Sequence, residues 1–197
     1  MNLPNKLTLV RIVLVPVVLL VWLFPYTSFG ISLPIIPVGQ ISLPVLNLIV
    51  LAIFAIASFT DFLDGNIARK KGLVTTFGKF ADPIADKLLT TSVLVVLAVK
   101  GNIPFLPVII MLARDIIVDG CRMLAAQNGV VIAAGMLGKL KTVLQMLTII
   151  IALLNNLPFE LYYFPMKDLL IWFTAFISVA GGYSYFMQVK DFVFESM

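Results

Sequence analysis

Apolar positions fall into six long runs, at about 5–25, 43–68, 80–100, 103–125, 133–155 and 167–189. Each is close to the roughly 20 residues a helix needs to cross the hydrocarbon of a bilayer. Within the runs the apolar residues are continuous rather than alternating, which argues against a β-barrel. Proline, glycine and asparagine collect between the runs. "PYTSFGISLPIIPVGQISLP" (25–44) predicts an extracytoplasmic loop and "KGNIP" (100–104) a tight turn; "QNGVVIAAG" (127–135) and "NNLPFELYYFP" (155–165) are the remaining joints. The expected fold is therefore an all-α integral membrane protein of six transmembrane helices, with no internal repeat.

Composition agrees. Hydrophobic residues make up 61% of the chain against 12% charged, and the mean hydropathy is +1.08. A soluble domain of 197 residues could not hide that much apolar surface. The length suits one compact membrane domain, 1–197. Lys6 and Arg11 precede the first run as they would in a signal peptide, but the run continues to Phe24 with no small-residue cleavage pattern, so a retained first helix is expected. The single Cys121 allows no intrachain disulfide. Without histidine, metal binding and proton transfer fall to carboxylates, lysine, tyrosine and the backbone.

Charge gives the orientation. Six crossings put both termini on one side, and every lysine and arginine except Lys100 and Lys167 falls there. Positive residues accumulate on the cytoplasmic face, so both termini are expected in the cytoplasm and the protein in a plasma (inner) membrane. Membrane lipids, not nucleic acid, are the expected surroundings.

The acidic residues are equally one-sided. Asp61, Asp64, Asp82, Asp86, Asp115 and Asp119 all lie toward the cytoplasmic ends of helices two, three and four. Ionisable groups at membrane depth are costly and mark function. Asp61 and Asp64 share a helical stripe with Gly65 and Ala68, while Gly78, Asp82 and Asp86 step by four along one face of the next helix. Four facing carboxylates repel unless something positive lies between them. Oxygen donors alone point to a hard divalent cation, Mg²⁺ or Mn²⁺. Gly65, Ala68 and Gly78 would leave space for a bulky group beside the metal, or serve close helix packing.

These residues resemble the signature of the CDP-alcohol phosphatidyltransferases. That pattern is D-x-x-D-G-x-x-A-R, eight residues, then G-x-x-x-D-x-x-x-D, and Asp61, Asp64, Gly65, Ala68, Arg69, Gly78, Asp82 and Asp86 match it throughout. The resemblance implies displacement of CMP from a CDP-linked lipid, usually CDP-diacylglycerol, by an alcohol hydroxyl. It implies a two-metal site held by Asp61, Asp64, Asp82 and Asp86, with Asp86 also taking the hydroxyl proton. Arg69 would contact the pyrophosphate, and Gly65, Ala68 and Gly78, with Asp61 and Asp82, would bind the CDP moiety. A homodimer is also implied.

The acceptor has its own candidate residues. Arg114 and Arg122 lie eight apart on helix four, and Lys139 and Lys141 open helix five in "GKLKT". Four cations at similar depth suit a phosphate carried by the acceptor; snorkelling to lipid headgroups and pairing with Asp115 and Asp119 is the plainer reading. "ARDIIVDGCRMLA", "GKLKT" and the opening "NLPNKLTLVRIVLVP" resemble the branch of the family whose acceptor is glycerol 3-phosphate, although Asn5, Thr8 and Arg11 in that opening speak for the family more than the branch. Inositol phosphate, or phosphatidylglycerol as in a cardiolipin synthase, would suit the same cations. Outside the family, a cation-coupled transporter would place its carboxylates near mid-membrane in repeated halves. A structural reading makes the aspartates helix caps, as Asp82 before Pro83 could be.

Overall fold

The computed structural model describes residues 2–39, 41–70, 75–130 and 135–195; of Leu3, Pro4, residues 62–70, Thr76, Lys79 and residues 191–195 it describes the backbone alone. The chain is mostly helical. Six α-helices follow one another: α1 Leu3–Leu23, α2 Val45–Lys70, α3 Thr76–Val99, α4 Phe105–Gln127, α5 Met136–Leu153 and α6 Met166–Glu195. Short 3₁₀ turns lie at Tyr26–Phe29 and Phe159–Tyr162.

The chain forms two compact units, residues 1–96 with 153–164, and residues 97–152 with 165–197. In the first, Asn2 caps α1 by accepting the Asn5 N–H at 3.2 Å, with a proline in the opening turn. α1 packs along α2, burying Val15, Val18 and Trp22 from one helix and Leu46, Val50, Phe54 and Ala57 from the other. The Trp22 indole finds a polar partner in Asn47 Oδ1, 3.3 Å away.

The long joint between α1 and α2 is more ordered than a loop. Ile35–Val38 (β1) and Ile41–Pro44 (β2) pair as an antiparallel hairpin, with Val38 opposite Ile41. Gly39, at φ +61°, supplies the left-handed backbone of the tight turn. The β-branched residues flanking it supply the strand preference.

α3 begins at Thr76, six residues ahead of Asp82. Its cap is Thr75, whose Oγ1 accepts the Gly78 N–H at 3.0 Å. Asp82 therefore lies inside the helix, and a capping role for it is overturned.

In the second unit α4 packs along α6, where Cys121, Ala125 and Val189 form a buried cluster with Phe186 against it. Buried hydroxyls bond back to their own helix: Thr148 donates to the Leu144 carbonyl at 2.8 Å and Thr174 to that of Leu170 at 2.6 Å. Such internal satisfaction is what a low-dielectric surround demands.

Many large apolar side chains are exposed while several polar ones are buried. Arg11 is 2% exposed while Leu20 on the same helix is 72% exposed. Water would favour the opposite arrangement. Among the described residues, Asn5–Leu23, Met136–Leu153 and Met166–Lys190 are long and apolar enough to cross a bilayer. α2, α3 and α4 carry the acidic residues in or next to their apolar stretches; the apolar part of α2 runs Val45–Asp61.

Candidate functional site

In the first unit the site is organised by one face of α1. Asn5, Thr8 and Arg11 follow one another at intervals of three, the spacing of a single helical stripe. All three are buried, at 8%, 1% and 2% exposure. Arg11 forms an ion pair with Asp61 of α2. Thr8 donates its hydroxyl to Asp82 Oδ1 of α3 at 2.5 Å. Asn5 Oδ1 accepts from Thr75 Oγ1 at 2.9 Å, the same hydroxyl that caps α3. Because Thr8 and Arg11 are one turn apart, Asp61 and Asp82 are brought to the same face of α1 from two different helices.

Gly78 allows this approach. A Cβ there would stand 3.3 Å from both Asn5 Oδ1 and Thr75 Oγ1, and 3.6 Å from Asp82 Oδ2, so the Asn5 and Thr75 side chains would have to give by a few tenths of an ångström. Asp86 is part-buried one turn beyond Asp82, and its backbone carbonyl accepts from Thr90 at 2.9 Å. Asp64, Gly65, Ala68 and Arg69 occupy the last turns of α2, with their side chains outside the described residues. Among the described residues no three acidic groups converge closely enough to hold a metal ion; Asp64, the fourth carboxylate of the pattern, is not among those searched. The donors that are described are all oxygens, the hard set that Mg²⁺ or Mn²⁺ takes.

The second unit holds the cations. Arg114 is fastened on three sides. Its Nε donates to the Ser178 carbonyl at 2.9 Å and its Nη1 to Asp115 Oδ1 at 3.0 Å. Gly181 and Gly182 on α6 make the space it fills, since Cβ atoms there would lie 3.0 Å from Nη2 and 2.9 Å from Cγ. The other Asp115 oxygen takes the Lys141 ammonium at 2.6 Å, with the Lys141 side chain 7% exposed. Arg114 Nη2 is buried without a hydrogen-bond partner among the described residues. A buried donor left unpaired is costly, and an anionic oxygen would satisfy it.

Arg122, two turns further along α4, donates Nη2 to the Tyr185 hydroxyl at 2.9 Å. The same hydroxyl accepts the Gly135 N–H at 3.0 Å. The Tyr185 ring lies 5.0 Å from the Arg122 guanidinium and 5.7 Å from that of Arg114, within cation–π range. Lys139 is exposed. It is two residues from Lys141, hence on roughly the opposite side of α5. Asp119 is part-buried on α4.

A family model described as CDP-alcohol phosphatidyltransferase matches residues 1–180. The chain belongs to the CDP-alcohol phosphatidyltransferase family. It is similar to a Bacillus subtilis protein named CDP-diacylglycerol–glycerol-3-phosphate 3-phosphatidyltransferase, with 45% identity over 187 residues that cover 95% of this chain and 94% of the relative. A Rickettsia bellii protein of the same name is 36% identical over 192 residues, 97% of each chain. A Mycobacterium tuberculosis protein named probable phosphatidylglycerophosphate synthase is 38% identical over 148 residues, 75% of this chain and 64% of the relative.

For this CDP-alcohol phosphatidyltransferase the sequence pointed to the aspartates and the cations, but not to what holds them. Asn5, Thr8 and Arg11 stood only as marks of the family, although a buried-polar stripe at spacing three in an apolar helix was visible. Pairing with Asp115 stands in the sequence as the alternative to phosphate binding; Asp115 bridges two cations, Arg114 and Lys141. Tyr185 was not singled out, because its partners lie 50 and 63 residues away in sequence.

Proposed function

We propose that the protein makes phosphatidylglycerophosphate, by transferring the phosphatidyl group of CDP-diacylglycerol to sn-glycerol 3-phosphate and releasing CMP. The observation that carries the chemistry is the convergence of Asp61 and Asp82 on one face of α1 through Arg11 and Thr8. In this reading Asp61, Asp64, Asp82 and Asp86 hold two Mg²⁺ or Mn²⁺ ions. Bound there, the metal would neutralise the pyrophosphate and stabilise charge as the phosphorus–oxygen bond breaks.

The chain's own residues do the rest. Asp86 accepts the proton of the attacking acceptor hydroxyl as its oxygen bonds to the lipid-linked phosphorus. The bond from that phosphorus to the CMP oxygen breaks, and CMP departs with the electron pair. Arg69 contacts the pyrophosphate. Gly65 and Ala68 leave room for the CDP moiety, while Gly78 acts from beneath by letting Asn5 and Thr75 close on α3.

The acceptor's phosphate belongs with Arg114, Arg122 and Lys139, where the buried Nη2 of Arg114 supports an anion. Lys141 contributes by offsetting Asp115, so that Arg114 keeps its charge for the ligand. The names of the relatives, at up to 45% identity over nearly the full chain, support glycerol 3-phosphate over other phosphorylated alcohols.

The same reading places six crossings in a plasma (inner) membrane with both termini, and the site, facing the cytoplasm, in a homodimer. A site at the cytoplasmic helix ends lets a lipid and a water-soluble acceptor meet. The test offers purified protein CDP-diacylglycerol and Mg²⁺ with glycerol 3-phosphate, inositol phosphate, phosphatidylglycerol or serine, and identifies the lipid product by mass spectrometry. Phosphatidylglycerophosphate as the dominant product is expected. A different dominant product would keep the family and overturn the acceptor.

A further inference from the structure

We infer that Tyr185 is the positioning residue of the acceptor subsite, holding the Arg122 guanidinium where the acceptor's phosphate binds. The inference rests on the acceptor reading above. It starts from a register between two helices of the second unit. On α4, Arg114 and Arg122 are eight apart, just over two turns. On α6, Ser178 and Tyr185 are seven apart, just under two turns. α4 and α6 pack along each other, and each arginine meets one member of the α6 pair: Arg114 Nε binds the Ser178 carbonyl at 2.9 Å and Arg122 Nη2 the Tyr185 hydroxyl at 2.9 Å. Gly181 and Gly182, between the two, make room for the Arg114 stem.

Tyr185 is suited to hold a ligand-binding cation without competing with the ligand. A carboxylate in its place would neutralise Arg122, as Asp115 offsets Lys141. A phenol accepts the hydrogen bond and leaves the positive charge available. The phenol oxygen is itself fixed by the Gly135 N–H at 3.0 Å, just ahead of the helix that carries Lys139. The ring, 3% exposed, faces both guanidinium groups at 5.0 and 5.7 Å. One side chain thus ties α4, α6 and the start of α5 around the cations. Arg122 itself is exposed, and a long exposed side chain otherwise samples many rotamers. Restricting it in advance lowers the entropy lost when the phosphate binds.

The experiment is a kinetic comparison in detergent of wild type, Tyr185→Phe, Arg122→Ala and the double variant, varying each substrate in turn. Tyr185→Phe keeps the ring and removes the hydroxyl. It should raise KM for glycerol 3-phosphate about fivefold, change kcat far less, and leave KM for CDP-diacylglycerol and the thermal midpoint near wild type. In the Arg122→Ala background the same change should add less than about twofold, since the two residues act through one contact.

A rise in both KM values, a fall mainly in kcat, or full additivity in the double variant would overturn the inference. If Tyr185→Phe lowers the thermal midpoint, Arg122→Lys reads the contact from its other side. It should raise the same KM, and adding Tyr185→Phe should change nothing more; a further rise overturns the inference. The two levels separate cleanly. An Arg122→Ala effect on the acceptor KM without a Tyr185→Phe effect sinks this inference alone. No Arg122→Ala effect sinks the acceptor reading and this inference with it.

Discussion

The Thr8 hydroxyl donates to Asp82 Oδ1 at 2.5 Å, one helical turn before Arg11 engages Asp61 on the same face of α1. A helix with no acidic residue of its own thereby orients two carboxylates from its neighbours. Thr8→Val is close to isosteric and removes the hydroxyl that donates to Asp82. Its kcat/KM for CMP release should fall about tenfold or more, as expected for a hydrogen bond to a charged group, with the thermal midpoint lowered by no more than about 5 °C. Wild-type kcat/KM in this variant would make the contact incidental.

Asp61 and Asp86 should separate stability from chemistry. Asp61→Ala removes a carboxylate that the Arg11 guanidinium, 2% exposed, engages. Asp61 is itself 37% exposed, so solvent screens part of the pair; the thermal midpoint should drop by about 3–6 °C as activity disappears. Asp86→Asn should abolish turnover while the midpoint stays within about 2 °C of wild type. Thermal unfolding in detergent beside the CMP assay reads both; full activity in Asp86→Asn would remove its role as base.

Substituting Gly182 reverses the usual sign of a helix glycine. Replacing glycine by a residue with a side chain inside a helix ordinarily stabilises it by about 0.5–1 kcal/mol. Here the new Cβ would fall 2.9 Å from Arg114 Cγ, an atom near the backbone of a side chain tied to Ser178 and Asp115. Gly182→Val should therefore lower the thermal midpoint and raise KM for glycerol 3-phosphate at least about fivefold, by displacing Arg114. An unchanged acceptor KM would show that Arg114 is not a phosphate ligand.

Lys139 and Lys141 should part company although only Leu140 separates them. Lys139 is exposed, so Lys139→Met should raise the acceptor KM and leave stability alone. Lys141 is buried on Asp115 at 2.6 Å. Lys141→Met should lower the thermal midpoint by about 3 °C or more, because the largely buried Asp115 loses one of the two cations that neutralise it. Thermal shift and acceptor titration on the two single variants check this.

The helices were readable because each is a run of apolar residues bounded by proline or glycine, and a membrane span needs no tertiary information to be noticed. The apolar run suggests that α3 starts at residue 80, because "TFGKF" is not continuously apolar; the Thr75 cap sets the boundary at Thr76. The segment 35–44 reads as loop in the sequence and forms a hairpin in the structure. Its proline content hid Ile35, Ile36, Val38 and Ile41, whose pairing around Gly39 is a local signal. Within the site, Asp82 and Asp86 were legible because four residues on one helix is a fixed geometry. The grip of Thr8 on Asp82 spans 74 residues and that of Tyr185 on Arg122 spans 63. Nothing local encodes such a pairing; only packing of one helix on another creates it.

The central claim is a metal-dependent transfer that joins two substrates, and CMP release reads it most directly. Purified protein would be supplied with CDP-diacylglycerol, with and without glycerol 3-phosphate, in Mg²⁺ or in excess chelator. Release that requires both the acceptor and the metal is the predicted result. Release that is indifferent to chelator, or no release from folded protein with any acceptor, would contradict it.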